Sequence, residues 1–577
     1  MKKSIIHGCM GLLALIGWTA SATAGPVIPG YETLKESGKA TDAELGEVLL
    51  SELNCAACHK PPGDRIGTRP APDLTRAGAR LTPQYLRAFL SDPAKTKQGT
   101  SMPTIFHASA PQAKAGAVEA LTHFLVSQDG PIQPSKAGGS KAVAARGKAL
   151  FESVGCVACH QPEAGSGGIP LNHMASKTTV DKLSAFLQNP HTVRPSGRMP
   201  NLKLKKNEAV AIAVYLLREQ LENPQNKDAA PASKPGVSYK YYEGNYIDKE
   251  ASLAKATPKA EGHINNFSLK AAKRKSKYAL VFEGTLEAPK TGSYKFECRS
   301  DDSSFLWIND QKVVSNPGAH GEKTESGSIN LTKGPHAIKV IFTQGGGGAA
   351  LTVRWQPPGD KMQSIPTTAL TSASGRPMVP LKSEKFTVDP RQVKTGAMMF
   401  AMMGCSSCHT QVKAGPAPPF VAARKGKTPP LASLNTAAET GCLSENVPKG
   451  RPNYDLDGDQ KKAIRAALAA KADLAKPRTP DKQILHDLTT LGCLQCHQRD
   501  GIGGPDEKRN DYFKMAIQAE MGDEGRLPPT LSGIGAKLKP EALKGIVQAG
   551  RLHVRPYMST RMPVFQVEAT DALLDRL

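Results

Sequence analysis

Two kinds of hydrophobic pattern occur along this chain of 577 residues. Apolar residues spaced by three and four share one helical face, and they predict helices in the parts of the chain that flank the middle. These residues are Val118, Leu121 and Leu125; Val210, Ile212, Leu216 and Leu217; Ile464 and Leu468; and Leu573, Leu574 and Leu577. In the middle, residues 278–286, 293–299 and 336–342 alternate or are rich in β-formers between turn residues, which predicts a β-sandwich or barrel.

Each of the four helix-patterned segments contains one Cys-x-x-Cys-His motif. The motifs are Cys55, Cys58 and His59; Cys156, Cys159 and His160; Cys405, Cys408 and His409; and Cys493, Cys496 and His497. Two thiols at this spacing can form thioether bonds to the vinyl groups of one porphyrin, and the next imidazole can ligate its iron. A redox dithiol needs no following His, and a zinc site would need paired motifs that close a tetrahedron. The motifs therefore predict four covalently bound haem c groups.

The surroundings of the motifs also repeat. Gly46, Gly147 and Gly396 each lie nine residues before the first Cys, whereas the fourth copy has Ile484. These four segments resemble class I cytochrome c domains, in which the glycine allows close approach of the terminal helix.

In that family the second iron ligand is a Met before the last helix, usually followed by Pro. The resemblance implies that Met102, Met199 and Met562 are ligands in segments one, two and four, with Met558 as a nearby competitor of Met562. Ligation by His and Met leaves no open position on the iron, which suits electron transfer rather than substrate binding.

The third segment departs from this pattern. It reads Gly450-Arg451-Pro452-Asn453 where segment two has Gly197-Arg198-Met199-Pro200-Asn201, so the Met is missing. Cys442 is a local candidate for the ligand, since thiolate is a known haem ligand. A buried free Cys, a Lys ligand and an open iron are the alternatives. An open iron is the one feature that would point to catalysis, and no catalytic residue is predicted.

The middle of the chain resembles the protective-antigen (PA-14) domain, a β-sandwich, over residues 237–359. The resemblance depends on residues 241–244, 282–284, 292–296, 300–304, 313–314 and 334–340. Some sugar-binding relatives use an Asp pair to hold calcium, so Asp301 and Asp302 are expected either to bind Ca²⁺ or to shape a turn. Alternation places Cys298 on the inward face of its strand, as a core residue; the alternative is a disulfide with Cys442.

The first 24 residues predict the compartment. Lys2 and Lys3, an apolar stretch around 10–18 and Ala22-Thr23-Ala24 form the layout of a secretory signal peptide, whose apolar part is too short to span a membrane. We therefore expect a periplasmic or otherwise exported protein with no transmembrane anchor after cleavage. The formal net charge of +23 permits an acidic redox partner. Export and the lack of a binding motif disfavour nucleic acid.

Together these features predict a multidomain protein with four small all-α cytochrome c domains and one all-β sandwich in the middle. The predicted boundaries are 1–24 for the signal peptide, 40–128, 142–222, 390–472 and 480–577 for the haem domains, and 237–359 for the sandwich. The expected function is electron transfer between periplasmic redox partners, with the sandwich docking to a glycan or a partner. The alternatives are an oxidoreductase that reacts at the third haem and a carbohydrate-binding adhesion protein with accessory haem domains.

Overall fold

The structure is a computed structural model. It describes residues 25–69, 71–135, 137–161, 168–223, 235–254, 256–372, 376–409, 428–435, 440–513, 522–550, 555 and 558–577. The predicted signal peptide, with Cys9, lies outside these residues. Within them, no helix combines the length and the apolar character needed to cross a membrane.

Helices form on both sides of a strand-rich middle, as the apolar spacing predicts. The α-helices are α1 (Pro29–Ser37), α2 (Asp42–Glu52), α3 (Ala77–Arg80), α4 (Pro83–Ser91), α5 (Pro93–Thr96), α6 (Pro111–Ser127), α7 (Lys141–Ser153), α8 (Val180–Gln188), α9 (Pro190–Val193), α10 (Lys206–Leu216), α11 (Pro390–Met402), α12 (Gly458–Ala469), α13 (Lys471–Leu474), α14 (Pro480–Thr490), α15 (Glu507–Asn510), α16 (Gly522–Arg526), α17 (Ile534–Lys537), α18 (Pro540–Val547) and α19 (Val567–Leu574). The four predicted apolar stripes coincide with α6, α10, α12 and α19, except that Leu217 and Leu577 lie just beyond the ends of α10 and α19.

The strands are concentrated in the middle of the chain, where the alternating pattern predicts them. They are β1 (Gly138–Gly139), β2 (Val237–Glu243), β3 (Ala260–Ile264), β4 (Tyr278–Ala288), β5 (Gly292–Asp301), β6 (Ser304–Ile308), β7 (Gln311–Asn316), β8 (Lys323–Leu331), β9 (Gly334–Gln344), β10 (Ala350–Gln356), β11 (Gln363–Ser364), β12 (Leu370–Ser372), β13 (Arg376–Pro377), β14 (Gln498–Arg499) and β15 (Ile502–Gly503).

Two antiparallel sheets share one core in this middle region. One sheet has the order β11-β10-β5-β8, and the other has the order β3-β2-β4-β9-β6-β7 with β12 paired to β4. Phe296 and Trp355 of the first sheet pack in one buried cluster with Phe282 and Phe342 of the second. Cys298 is fully buried in the same cluster and is a free thiol, as is Cys442. The interpretation of Cys298 as a core residue is therefore confirmed, and the alternative disulfide with Cys442 is not formed.

In the helical parts, three helices that precede a motif each cross a second helix at a glycine. The contacts are Gly46 of α2 with Ala463 of α12, Gly147 of α7 with Ala211 of α10, and Gly396 of α11 with Ala120 of α6. A Cβ on any of these glycines would overlap the backbone carbonyl of the alanine opposite. The glycines are therefore required by the close approach of two backbones, as the resemblance implies.

The partners in these crossings are not always neighbours in sequence. Helices α7 and α10 come from one continuous segment, but α2 packs on α12 and α11 packs on α6. The first and third segments thus exchange their closing helices. The predicted ranges 40–128 and 390–472 are therefore not two separate domains, because each range contributes helices to both units. We name the described parts of 42–59 with 428–469 the first unit, and those of 390–409 with 71–127 the third unit. The second unit is 141–221 and the fourth is 480–577.

The fourth unit lacks the glycine crossing. Buried Ile484 stands at the glycine position of α14, which packs against the short terminal helix α19. Helix α1, which the sequence analysis did not predict, packs against both α14 and α2 and so joins the fourth unit to the first.

The exchanged pairing predicts where a substitution will loosen the structure. Gly46→Ala forces a Cβ into the carbonyl of Ala463, and overpacking of this kind costs about 1–3 kcal/mol. We expect amide hydrogen exchange to accelerate in α12, which lies more than 400 residues away in sequence, and to remain unchanged in α6. Gly396→Ala should have the converse effect, accelerating exchange in α6 and not in α12.

Gly116→Ala is the matched control. A Cβ at Gly116 of α6 meets no atom within 4 Å, and loss of chain entropy in the unfolded state should stabilise the protein by about 0.4–1 kcal/mol. Faster exchange in α6 on Gly46→Ala would contradict the exchanged pairing.

Candidate haem-binding sites

The four motifs share one local backbone structure. Each begins with a 3-10 turn after a residue in the left-handed region, and these residues are Asn54, Gly155, Gly404 and Gly492. In each motif the His amide N–H donates to the carbonyl of the first Cys, at 2.9–3.0 Å. Two thiols and an imidazole are therefore presented within one turn, as attachment to one porphyrin requires.

The motif histidines are oriented by backbone carbonyls. Nδ1 of His59, His409 and His497 lies 2.8, 3.0 and 2.7 Å from the carbonyl oxygens of Pro429, Pro72 and Pro529. A carbonyl oxygen can only accept, so Nδ1 carries the proton and Nε2 keeps its lone pair for a metal.

Burial favours the neutral form of three motif imidazoles, those of His160, His409 and His497. Burial lowers the pKa of His160 to about 4, and it also lowers the pKa of His409 and of His497. The neutral imidazole is the form that ligates iron. The residues present therefore fit a covalently attached haem.

The carbonyl that orients a motif His comes from the exchanged segment in two units. His59 is paired with Pro429, and His409 is paired with Pro72. Further backbone bonds support this arrangement: Leu431 N–H donates to the Lys60 carbonyl at 2.9 Å, as Leu531 donates to Gln498 at 2.8 Å within the fourth unit. The exchange thus extends from the helices to the loop beside each motif.

The predicted Met ligands lie in loops that bridge neighbouring units in pairs. Thr104 and Asn453 exchange backbone hydrogen bonds of 2.7 and 3.1 Å, and Asn201 and Val564 exchange bonds of 3.1 and 2.8 Å. Met102, Met199 and Met562 each lie two residues before a bridging residue. In the remaining loop, Arg451 is the residue two positions before the bridging residue Asn453. The missing Met is therefore replaced in register by Arg451.

The predicted Met residues differ in their surroundings. Met199 packs against the buried cluster that contains Cys156 and Val157. Met562 is 41% exposed, and the Met loop that contains it is held to α10 by Arg561, which makes two hydrogen bonds of 2.9 and 2.6 Å with Glu208.

Cys442 lies near the first motif, although the sequence analysis assigned it to the third. Burial, followed by the neighbouring thiols of Cys442 and Cys58, raises the pKa of Cys55 to about 12. Leu443 and Tyr454, from the same loop as Cys442, pack in the core of the first unit with Cys55. The loop without a Met therefore covers the Cys55–His59 motif.

In the sandwich, the Asp302 carboxylate is engaged by backbone donors. Its side chain is buried, Oδ1 accepts the His320 N–H at 3.1 Å, and Oδ2 accepts the Gly345 N–H at 2.8 Å. Asp302 also has a positive φ of 63°. Within the described residues there is no group of three or more His, Cys, Asp and Glu side chains suited to a metal ion. These contacts show that Asp302 joins two loops, and binding of Ca²⁺ with Asp301 stays a prediction.

Sequence reasoning missed which segments belong together. The signal it lacked is spatial: the sequence contains both loops and both closing helices, but no local pattern says which motif each one covers.

Comparison with known families supports part of this reading. A family model for cytochrome c matches residues 43–129 and 144–221, and a model for the PA14 domain matches residues 233–369. No curated protein matches the chain.

Several solved structures are similar to part of the chain. An anti-sigma factor domain-containing protein from Clostridium clariflavum is 21% identical, with 24% of this chain and 48% of that chain covered and a TM-score of 0.21. A PA14 sugar-binding domain from an RTX adhesin is 21% identical, with 24% and 99% covered and a TM-score of 0.21. The epithelial adhesin 9 A domain from Candida glabrata, in complex with Galb1-4GlcNAc, is 12% identical, with 25% and 92% covered and a TM-score of 0.21.

The chain spans about half the length of the anti-sigma factor domain-containing proteins that it matches. What the chain contains is cytochrome c sequence in its first two segments, which implies covalently bound haem c, and a PA14 domain in its middle.

Proposed function

We propose that the protein is an exported tetrahaem cytochrome c that carries electrons between periplasmic redox partners, with its PA14 domain docking it to a glycan or a partner. The observation that carries this proposal is the repetition of one motif geometry four times. In each copy two thiols and an imidazole are presented in one turn, including the third and fourth copies, which lie outside the matched cytochrome c ranges. Bound haem supplies reversible one-electron chemistry.

The residues of the chain have two tasks in this function. The carbonyls of Pro429, Pro72 and Pro529 hold Nδ1 of the motif histidines, which fixes the direction of Nε2 and makes it a better donor. The sulfurs of Met102, Met199 and Met562 would occupy the opposite side of the iron in three sites. A site filled on both sides suits electron transfer because substrate has no place to bind.

The net charge supports an acidic partner. The segment Lys273–Lys277 is exposed on the sandwich and contains four cationic residues. Complementary charge of this kind raises the rate of encounter more than the affinity.

A second candidate function is an oxidoreductase that reacts at the site without a Met. The observation that favours it is Arg451 at the position of the Met, with the thiol of Cys442 as the alternative occupant of that site. The two functions differ in whether a small ligand can reach this iron.

Carbon monoxide binding separates the two candidates. In the electron-transfer protein Cys442 completes the site, so we expect the reduced protein to bind no carbon monoxide and Cys442→Ala to bind one molecule per chain. Electron paramagnetic resonance should show a change at one haem in the same variant. Cys298→Ala, which removes a thiol buried in the sandwich, is the control, and a haem count of four by mass confirms each sample. Carbon monoxide binding by the parent would favour the oxidoreductase.

The sandwich is proposed to bind a glycan, and the PA14 family match supports this role. The same match supports a further alternative, an adhesion protein whose haem domains are accessory. Asp301 and Asp302 are the proposed calcium ligands, since carboxylate oxygens are the donors that Ca²⁺ prefers.

A glycan array with and without calcium tests the sandwich. We expect calcium-dependent binding that is lost in Asp301→Asn, whose side chain keeps its size and loses its charge. Asp360→Asn, at the other end of the sandwich, is the control and should bind as the parent does. Absence of binding in either condition would leave the sandwich as a spacer or a protein-docking module.

A further inference from the structure

Met102 is part of the third unit and not of the first. The segment that contains it begins beside the third motif, where the Ala71 N–H donates to the Cys408 carbonyl at 3.3 Å and Pro72 orients His409. It ends in α6, which packs on α11, the helix before the third motif. Both ends of the Met102 loop are therefore anchored to the third unit.

Side chains beside Met102 confirm this placement. Phe106 is buried in a cluster with Phe400 of α11, and Ile105 and Cys405 pack against the same cluster. Residues three and four positions after Met102 thus belong to the same cluster as residues of the helix and the motif of the third unit.

The loop without a Met is anchored in the same way to the first unit. The Tyr454 hydroxyl donates to the Leu53 carbonyl at 3.2 Å, two residues before the first motif. Leu443, next to Cys442, packs in the cluster that contains Leu49 and Ala56 of the first unit.

We propose that Met102 is the sulfur ligand of the haem attached at Cys405 and Cys408, and that the atypical haem is the one attached at Cys55 and Cys58, opposite the loop of Cys442 and Arg451. This inference depends on the proposed haem attachment. If each haem domain were one continuous stretch of sequence, Met102 would belong to the first motif and the loop of Cys442 to the third. The proposal reverses this assignment, because the first and third motifs each take their distal loop from the other's segment.

The test marks one haem at a time by its absorption spectrum. Replacing one motif Cys by Ala leaves a vinyl group unreacted and conjugated with the porphyrin, which shifts the bands of that haem to longer wavelength. Cys405→Ala therefore marks the third haem, and Cys55→Ala marks the first. Met102→Ala is then added to each, and carbon monoxide is bound to the reduced proteins, each with a haem count.

We expect Met102→Ala to add one bound carbon monoxide per chain. In the Cys405→Ala background the spectral change on binding should occur in the shifted band, and in the Cys55→Ala background it should occur in the unshifted bands. Met398→Ala, in the exposed part of α11, should add none. The opposite result, in which the shifted band responds with Cys55→Ala, would overturn the proposal. A haem count below four in the parent would instead contradict the proposed function.

Variants that lose a whole haem give an independent answer if a marked variant does not mature. With Cys55→Ala and Cys58→Ala together, Met102→Ala should still add a carbon monoxide site. With Cys405→Ala and Cys408→Ala together, it should add none, and an added site there would overturn the proposal.

A different observation concerns the contact between the second and third units. Thr82 donates its N–H to the Lys177 carbonyl at 3.0 Å and its hydroxyl to the Ser176 carbonyl at 2.6 Å, and the Thr178 hydroxyl donates to the Arg80 carbonyl at 2.8 Å. These reciprocal bonds bring two equivalent loops together.

Four cations meet at this contact. The four cations occupy equivalent positions in the two units. Arg80 lies six residues after Leu74, and Lys177 lies six residues after Leu171. Lys97 lies five residues before Met102, and Arg194 lies five residues before Met199. Nζ of Lys177 lies 5.3 Å from the ring centre of Tyr85, and the four side chains are half-buried. Within the described residues, none of the four forms an ion pair with a carboxylate.

The cations repel one another in this arrangement. Burial, followed by Arg194, Lys97 and Arg80, lowers the pKa of Lys177 well below its ordinary value, and burial together with Arg194 lowers the pKa of Lys97 to about 8. Cations that lose water need an anion to offset the cost, and among the described residues only the Asp73 carboxylate, which acts on Arg80 without forming an ion pair, offers one here. The nearby His173 also has both ring nitrogens buried without a hydrogen-bond partner.

We infer that Arg80, Lys97, Lys177 and Arg194 form one shared site for the propionate groups of two haems, those of the second and third motifs. The third unit contributes Arg80 and Lys97, and the second unit contributes Lys177 and Arg194 from the equivalent positions. A shared site would bring these two haems together by their carboxylate edges.

Removing one cation tests the sharing. Lys177→Met takes a positive charge from both haems, and reduction adds an electron, so we expect the reduction potentials of the second and third haems to fall together. Marking by Cys156→Ala and by Cys405→Ala assigns the potentials. Lys177→Arg keeps the charge and should leave both reduction potentials at the parent values. Lys206→Met, on the exposed side of α10, should change neither potential. A fall in only one potential, or in none, would overturn the shared site.

Discussion

The contact between two helix backbones at a glycine determines the arrangement of the helical units. Gly46, Gly147 and Gly396 have no side chain between the helices, so the helix before each of the first three motifs lies directly on the carbonyl of an alanine. The motif turn follows that helix within three residues, and the distal loop precedes the partner helix. A choice of partner helix is therefore also a choice of the loop that covers the motif.

The sequence predicts the elements of this arrangement better than their partners. Spacing of apolar residues locates α6, α10, α12 and α19, and the alternating middle predicts the sheets, because both signals are local. The partner of each helix is a different matter. Ala120, Ala211 and Ala463 all present the same small residue at the crossing, so each closing helix is an acceptable partner for each glycine, and local pattern does not distinguish them.

The same limit applies to single side chains. Asp302 follows Asp301 in a pair that suits either calcium or a turn, and its sequence neighbours favour neither. The donors to its carboxylate, the N–H groups of His320 and Gly345, are 18 and 43 residues away and come from other loops of the sandwich. Contacts between residues so far apart in sequence depend on how the two sheets pack, and the residue pattern along one strand does not predict that packing.

The positive net charge of the chain is distributed unevenly, and this affects the proposed docking. Glu47 is buried and accepts from both Arg65 and Arg478, at 2.8 and 3.0 Å, so those two cations join the first unit to the α14 region and offer little to a partner. The cations between the second and third units are half-buried. The segment Lys273–Lys277 remains exposed on the sandwich. The PA14 domain would therefore present positive charge to the acidic partner proposed above, alongside exposed cations of the helical units such as Lys60 and Lys449.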